Sequence, residues 1–140
     1  MDGLLNKLNY KGYKRIALLN ADDKFRESFS VLLPDVKIDT EIDPRYPYEF
    51  ILLFVHIVTE VENFAPRALH NLVSDGILWF AYPRKTSKRQ VVKIDRDHGW
   101  NALVDRGLNR VRQVAIDDDW SAVRFRNIRF IKSSRGRFTH

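Results

Sequence analysis

The densest set of ligand-handling groups in the chain is Pro83-Arg84-Lys85-Thr86-Ser87-Lys88-Arg89. Arg84, Lys85, Lys88 and Arg89 supply positive charge, and Thr86 and Ser87 supply hydroxyls that donate to phosphate or carboxylate oxygens. Together they are the groups that hold an oxyanion. The loop contains no glycine and lacks the Gly-Lys-Ser order of a P-loop. A solvated basic loop would have the same composition, so its placement decides between the two roles. Asn20, Asp22 and His56 follow apolar runs and would contribute to the same rim if those runs are parallel strands.

Other chemistry is thinly supplied. The histidines, His56, His70, His98 and His140, show no helical zinc spacing. His56 ends the most hydrophobic run and could move a proton or sit as a satisfied strand-end residue. Asp117-Asp118-Asp119 offers carboxylates but lacks the spacing of a calcium loop, and reads as a hairpin turn whose acids pair with Arg112 or Arg124. Ser121 has no nucleophile-elbow glycines. The absence of cysteine excludes disulfides, thiolate metal sites and cysteine nucleophiles. No catalytic residue and no metal ligand set is expected.

Charge is unevenly placed. The net charge is +6, and the segment from Trp120 to His140 holds no acid while carrying Arg124, Arg126, Arg129, Lys132, Arg135 and Arg137. That segment accounts for the whole excess. Arg126, Arg129, Lys132, Arg135 and Arg137 interleave with Phe125, Phe130 and Phe138, a pattern that suits single-stranded nucleic acid and equally suits a last strand with a solvated end.

At 140 residues and 44% hydrophobic composition, one domain with a sizeable core is expected. We expect a single domain over 1–131 and a basic tail over 132–140. Met1 to Lys7 has no long apolar run and does not read as a signal peptide. No run approaches the roughly 18 apolar residues of a membrane span. Cytoplasmic residence and no membrane contact are expected.

These groups need a scaffold. Asp2 to Asn9 reads as a short amphipathic helix, and Arg15 to Asn20 as a buried strand. Asp22 or Asp23 caps a helix to about Leu32, which Pro34 stops. Val36 to Ile42 alternates as a strand, and Phe50 to His56 is the most apolar strand. Thr59 to Val73 reads as a helix capped by Thr59, with Pro66 as a kink or break. Ser74-Asp75-Gly76 reads as a turn, and Ile77 to Tyr82 as a strand. Asp95 to Gly107 reads as a helix closed by Gly107. Arg110 to Ile116 and Ser121 to Ile131 are strands joined by the triple aspartate. Trp79, Trp100 and Trp120 sit in apolar contexts and are expected in the core. Alternating strands and helices predict a three-layer, mostly parallel, doubly wound α/β sheet ending in an antiparallel β-hairpin. In such a sheet the Arg84–Arg89 loop lies at the carboxyl edge, where ligands bind.

Three segments resemble an uncharacterised bacterial family, a domain of unknown function. They are Ser74 to Lys88, Asp97-His98-Gly99-Trp100, and Val114 to Phe125. The resemblance implies a Rossmann-like, methyltransferase-like fold and assigns no activity. More broadly, Phe50 to Val55 and Asp75-Gly76-Ile77-Leu78-Trp79 resemble the second half of S-adenosylmethionine-dependent methyltransferases. Such enzymes place a glycine-rich turn after the first strand and an acid for ribose hydroxyls after the second. Here the first turn is Asn20-Ala21-Asp22-Asp23, without glycine, and the acid could be Glu41 or Asp43. A β-carbon at each turn position would crowd a ligand, and the two acids would repel phosphates.

The expectation is therefore a non-enzymatic binding domain for an anionic small molecule or protein at the carboxyl edge, with no cofactor. A degenerate S-adenosylmethionine-dependent methyltransferase is the first alternative. Nucleic-acid binding through the basic last strand and tail is the second.

Overall fold

The computed structural model describes residues 2–84, 94–95 and 98–131. The elements are α1 (Asp2–Lys7), β1 (Arg15–Leu19), α2 (Asp23–Leu32), β2 (Lys37–Asp39), β3 (Tyr48–Phe54), α3 (Val58–Asn71), β4 (Leu72–Pro83), α4 (Asn101–Val104), β5 (Leu108–Ala115) and β6 (Trp120–Asn127). A single 3-10 turn, Ile128–Phe130, follows β6.

The strands form one sheet in the order β2-β1-β3-β4-β6-β5. β1 is parallel to β2 and β3, and β3 is parallel to β4. β6 lies between β4 and β5 and is antiparallel to both. The expected hairpin is therefore folded into the sheet. β6 is the strand that runs backwards, and β5 resumes the common direction at the edge.

Burial on both faces explains the continuous apolar strands. Alternate residues feed two cores. Ile16, Leu18, Phe50, Leu52, Trp79 and Ala122 pack against Leu4 of α1, Leu8 just beyond it and Phe29 of α2. Ala17, Leu19, Ile51, Leu53, Phe80 and Phe125 pack against Val61, Ala65 and Ala68 of α3 and Leu103 of α4. The three-layer, doubly wound expectation holds.

Several local expectations are corrected. The second strand keeps three residues, Lys37–Asp39, instead of Val36 to Ile42. It is an edge strand, and the chain beyond it turns away to bring Asp43 back to Arg15 at 3.1 Å. Pro66 lies inside α3 without ending it. Pro66 and Glu62 are both exposed, so the carbonyl that loses its helical donor faces water. Thr59 is not the cap: Ile57 occupies that position and makes no side-chain cap bond.

Ser74-Asp75-Gly76 is not a turn between elements. α3 runs directly into β4, and these residues form a register irregularity inside that strand, with Asp75 at φ 55°. A β-carbon on Gly76 would lie 2.7 Å from Leu72 Cδ1, which explains the glycine. The long helix expected from Asp95 shrinks to Asn101–Val104. Gly99 at φ 103° breaks its start, and Trp100 turns into the core while its Nε1 donates to the Asp95 carbonyl at 2.8 Å. Gly107, at φ 84°, ends the segment as expected.

Candidate functional site

The carboxyl edge of the sheet collects the ends of β1, β3 and β4 and the start of β6. Its centre is a brace between three elements. Asn20 follows β1 at φ 62°, in the left-handed region that asparagine tolerates better than most residues. Its Nδ2 donates to the Phe54 carbonyl at 2.8 Å and to Glu60 Oε2 at 3.0 Å. The other carboxylate oxygen, Oε1, accepts from the His56 backbone N at 2.5 Å and faces His56 Nδ1 at 3.2 Å. Burial works to raise the Glu60 pKa. The His56 amide, the Asn20 amide and the His56 ring outweigh it and hold the carboxyl below its ordinary range.

Beside this brace, the Trp120 ring meets His56 edge-on at 5.2 Å and Phe54 at 4.9 Å. Asp22 caps α2 by accepting from Phe25 N at 2.8 Å. The first turns of α2 and the β5–β6 turn enclose a cleft of about 240 Å³, walled by Phe25, Ile116 and Trp120 and rimmed by Asp22, Lys24 and Asp118. The triple aspartate is a turn, as expected. Asp117 Oδ1 accepts from Asp119 N at 2.8 Å and Trp120 N at 2.9 Å, so that carboxylate closes the turn instead of pairing with Arg112 or Arg124. Among the described residues no cluster of three histidines and carboxylates is arranged to hold a metal.

Asn20, Asp22, His56 and Arg84 are brought to one rim by the parallel pairing of β1, β3 and β4. Arg84 nevertheless serves the fold: its backbone N donates to the Asp119 carbonyl and its guanidinium to the Asp117 carbonyl, both at 2.9 Å. Lys85, Thr86, Ser87, Lys88 and Arg89 lie outside the described residues, as do Lys132, Arg135 and Arg137. Arg126 and Arg129 stand at the opposite, amino edge, because β6 runs backwards. There Arg126 clasps Asp75 through two bonds of 2.7 Å, and the Arg129 guanidinium lies over the Phe130 ring at 4.9 Å. Of the two acids considered for ribose hydroxyls, Asp43 is engaged by Arg15 at 3.1 Å and accepts from Arg45 N at 3.0 Å. Glu41 is exposed.

Glu60 and Trp120 were not expected at the site. The available signals were the four-residue spacing of His56 and Glu60 and the position of Trp120 after the acidic turn. Trp79, Trp100 and Trp120 are all buried, as expected.

No family model matches the chain, so the uncharacterised bacterial family has no matching model. No curated protein matches it either. Solved structures do. N-methyltransferase NodS from Bradyrhizobium japonicum, in complex with S-adenosyl-L-homocysteine, superposes with a TM-score of 0.57 at 13% identity, over 89% of this chain and 83% of that one. Magnesium protoporphyrin IX methyltransferase ChlM from Synechocystis, with bound S-adenosylmethionine, superposes with a TM-score of 0.58 at 10% identity, over 90% of this chain and 77% of that one.

Both neighbours carry the methyl donor or its product, and this overturns the expectation of a non-enzymatic anion-binding domain without cofactor. The first alternative is the better-supported reading. The physical reasons for the error are visible at the rim. Acids after β1 repel phosphates, but S-adenosylmethionine has no phosphate; it carries a sulfonium and an ammonium, which carboxylates attract. Asn20 also adopts the left-handed backbone that a glycine would supply, with its side chain drawn aside onto Phe54 and Glu60. No helix of the described residues is long and apolar enough to cross a membrane. The chain has the Rossmann-like fold of the S-adenosylmethionine-dependent methyltransferases.

Proposed function

We propose that this domain is an S-adenosylmethionine-dependent methyltransferase of the cytoplasm whose donor sits at the carboxyl edge of the sheet, beside the Asn20 turn. The carrying observation is the turn itself: Asn20 at φ 62°, exposed, with its amide fastened to Phe54 and Glu60. The donor set fits a cationic ligand. Among the described residues the rim offers Asp22, Asp23, Asp117, Asp118 and Asp119. Its cations are partly spent, Arg26 on Asp23 and Arg84 on the Asp117 carbonyl. Phe25, Ile116 and Trp120 give apolar walls. Glu41 is the exposed acid available to hydroxyls. The cysteine-free composition fits a reducing compartment.

When bound, S-adenosylmethionine supplies an electrophilic methyl group on a sulfonium. The chain's own contribution is to orient and to hold protons. Glu60 Oε1 opposite His56 Nδ1 favours the tautomer with the proton on Nδ1. That leaves Nε2 as the acceptor on a half-exposed ring, able to take a proton from the group being methylated.

Calorimetric titration with S-adenosylmethionine and S-adenosylhomocysteine tests the proposal. Binding of both, weakened in Trp120→Ala, is expected. No heat and no thermal shift at millimolar ligand would sink it.

A further inference from the structure

We propose that the amino edge of the sheet, opposite the methyl-donor edge, carries a binding site for a phosphate monoester in which Arg124 is the principal ligand. The site is independent of the methyltransferase reading. It rests on an unbalanced guanidinium. Arg124 is half-buried, and its Nε is buried with no hydrogen-bond partner among the described residues. A buried donor left without an acceptor is unfavourable, and buried polar groups are otherwise nearly always satisfied.

The neighbours do not balance it. On β6, Arg124 lies across from Trp79 of β4 and Arg112 of β5, an apolar ring and a second cation. Asp75, whose field reaches it, is clasped at both oxygens by Arg126. Burial, followed by the charge of Arg126, pushes the Arg124 pKa below the usual guanidinium range, as expected where an anion is missing.

Arg124 lines an open cleft of about 660 Å³ together with Lys11, Tyr13, Ser74, Arg126 and Glu49. Lys11 is exposed and adds a second cation, with no ion pair among the described residues. Burial, then the charge of Glu49, raises the Tyr13 pKa, so its hydroxyl keeps its proton and can donate. Ser74 supplies another hydroxyl. Two cations and two hydroxyls converging on one space suit the dianion of a phosphate monoester, and the guanidinium fork matches its oxygens. Two acids also line the cleft: Asp75, which Arg126 clasps, and the exposed Glu49, which gives the proposal a variant that should improve binding.

The test uses the full chain, with inorganic phosphate and a nucleoside monophosphate as probes against chloride at matched ionic strength. Wild type should bind both probes and gain thermal stability beyond the chloride control. Arg124→Gln should weaken binding by about tenfold or more, the loss of one charge-assisted bond. Its ligand-free stability should be unchanged or higher, because the unpaired charge is gone. Glu49→Gln should tighten binding and Lys11→Ala should weaken it; both positions are exposed, so these variants test the site even if Arg124→Gln does not fold. S-adenosylhomocysteine binding should be the same in all of them. No phosphate-specific binding by wild type overturns the proposal, as does equal binding by Arg124→Gln or by Glu49→Gln. Binding of a single-stranded oligonucleotide without binding of either small probe overturns it in favour of a polymer.

Discussion

Asn20 Nδ2 reaches Glu60 Oε2 at 3.0 Å across forty residues of sequence, joining the turn after β1 to the first turn of α3. Through the same carboxylate α3 is tied to His56 at the end of β3. The rim of the sheet is thus held by one acid with three polar contacts and not by a glycine loop.

Glu60→Gln should cost about 1 kcal/mol at neutral pH, because the amide cannot serve all these donors and the site is partly open to solvent. The pH dependence has a definite sign. The folded carboxyl titrates below its ordinary value of 4.5, so its contribution is present above that pH and is lost as pH falls through the lower, folded value. Urea denaturation should show a gap between wild type and Glu60→Gln that closes on acidification. A gap that persists in strong acid would contradict this account.

Asn20→Gly, Asn20→Ala and Asn20→Val separate the backbone role from the side-chain role. Glycine keeps the φ of 62° without strain and loses only the two amide bonds. Alanine adds a left-handed penalty of about 1 kcal/mol, and β-branched valine more. Stability should fall in the order Asn, Gly, Ala, Val. Alanine as stable as glycine would show that the turn relaxes out of the left-handed region.

Sequence reasoning works where one local physical rule dominates. β1, β3 and the later part of β4 are continuous apolar runs because both their faces are buried, and Asp22 is a helix cap because the next turn needs an acceptor. It fails where two structures share one composition. Ser74-Asp75-Gly76 has turn residues, yet these also serve a strand irregularity, with Asp75 in the left-handed region and Gly76 packed on Leu72. The helix from Asp95 has helical spacing, yet burial of Trp100 and the conformation of Gly99 override it. At the site, the partners of Arg84 are backbone carbonyls of a distant turn, which no pattern of side chains reveals. The four-residue step from His56 to Glu60 was readable, but its link to Asn20 exists only once β1 and β3 pair.

Tyr48 gives a prediction at the alkaline end. Its hydroxyl donates to Asp39 and accepts from Asp43 N, beside Arg15, which also binds Asp39 at 2.7 Å. Burial, then the bond to Asp39, pushes its pKa up to about 12 from 10.0. The neutral form is the one the fold favours, so the contribution is complete below pH 10.0 and is lost as pH rises toward about 12. Tyr48→Phe should cost about 1–2 kcal/mol at neutral pH, with the difference shrinking above pH 10. Ultraviolet titration should show one tyrosine ionising after the others. Simultaneous ionisation of all of them would refute the shielded position.

Trp79→Phe tests how the first helix is held. Trp79 is fully buried on β4, and its Nε1 donates to the Leu8 carbonyl at 2.8 Å, just beyond the end of α1. α1 spans only Asp2–Lys7, too short to be stable alone, so packing must hold it. Leu4 and Leu8 supply that packing within the same core as Trp79. Phenylalanine would leave the space of the lost ring and remove the indole donor from a buried carbonyl. The two effects together should cost about 2–4 kcal/mol. The loss should be local first: amide exchange in α1 should accelerate at denaturant concentrations where β3 remains protected. If exchange in α1 and β3 speeds up equally, the bond to Leu8 is part of global stability and does not specifically dock the helix.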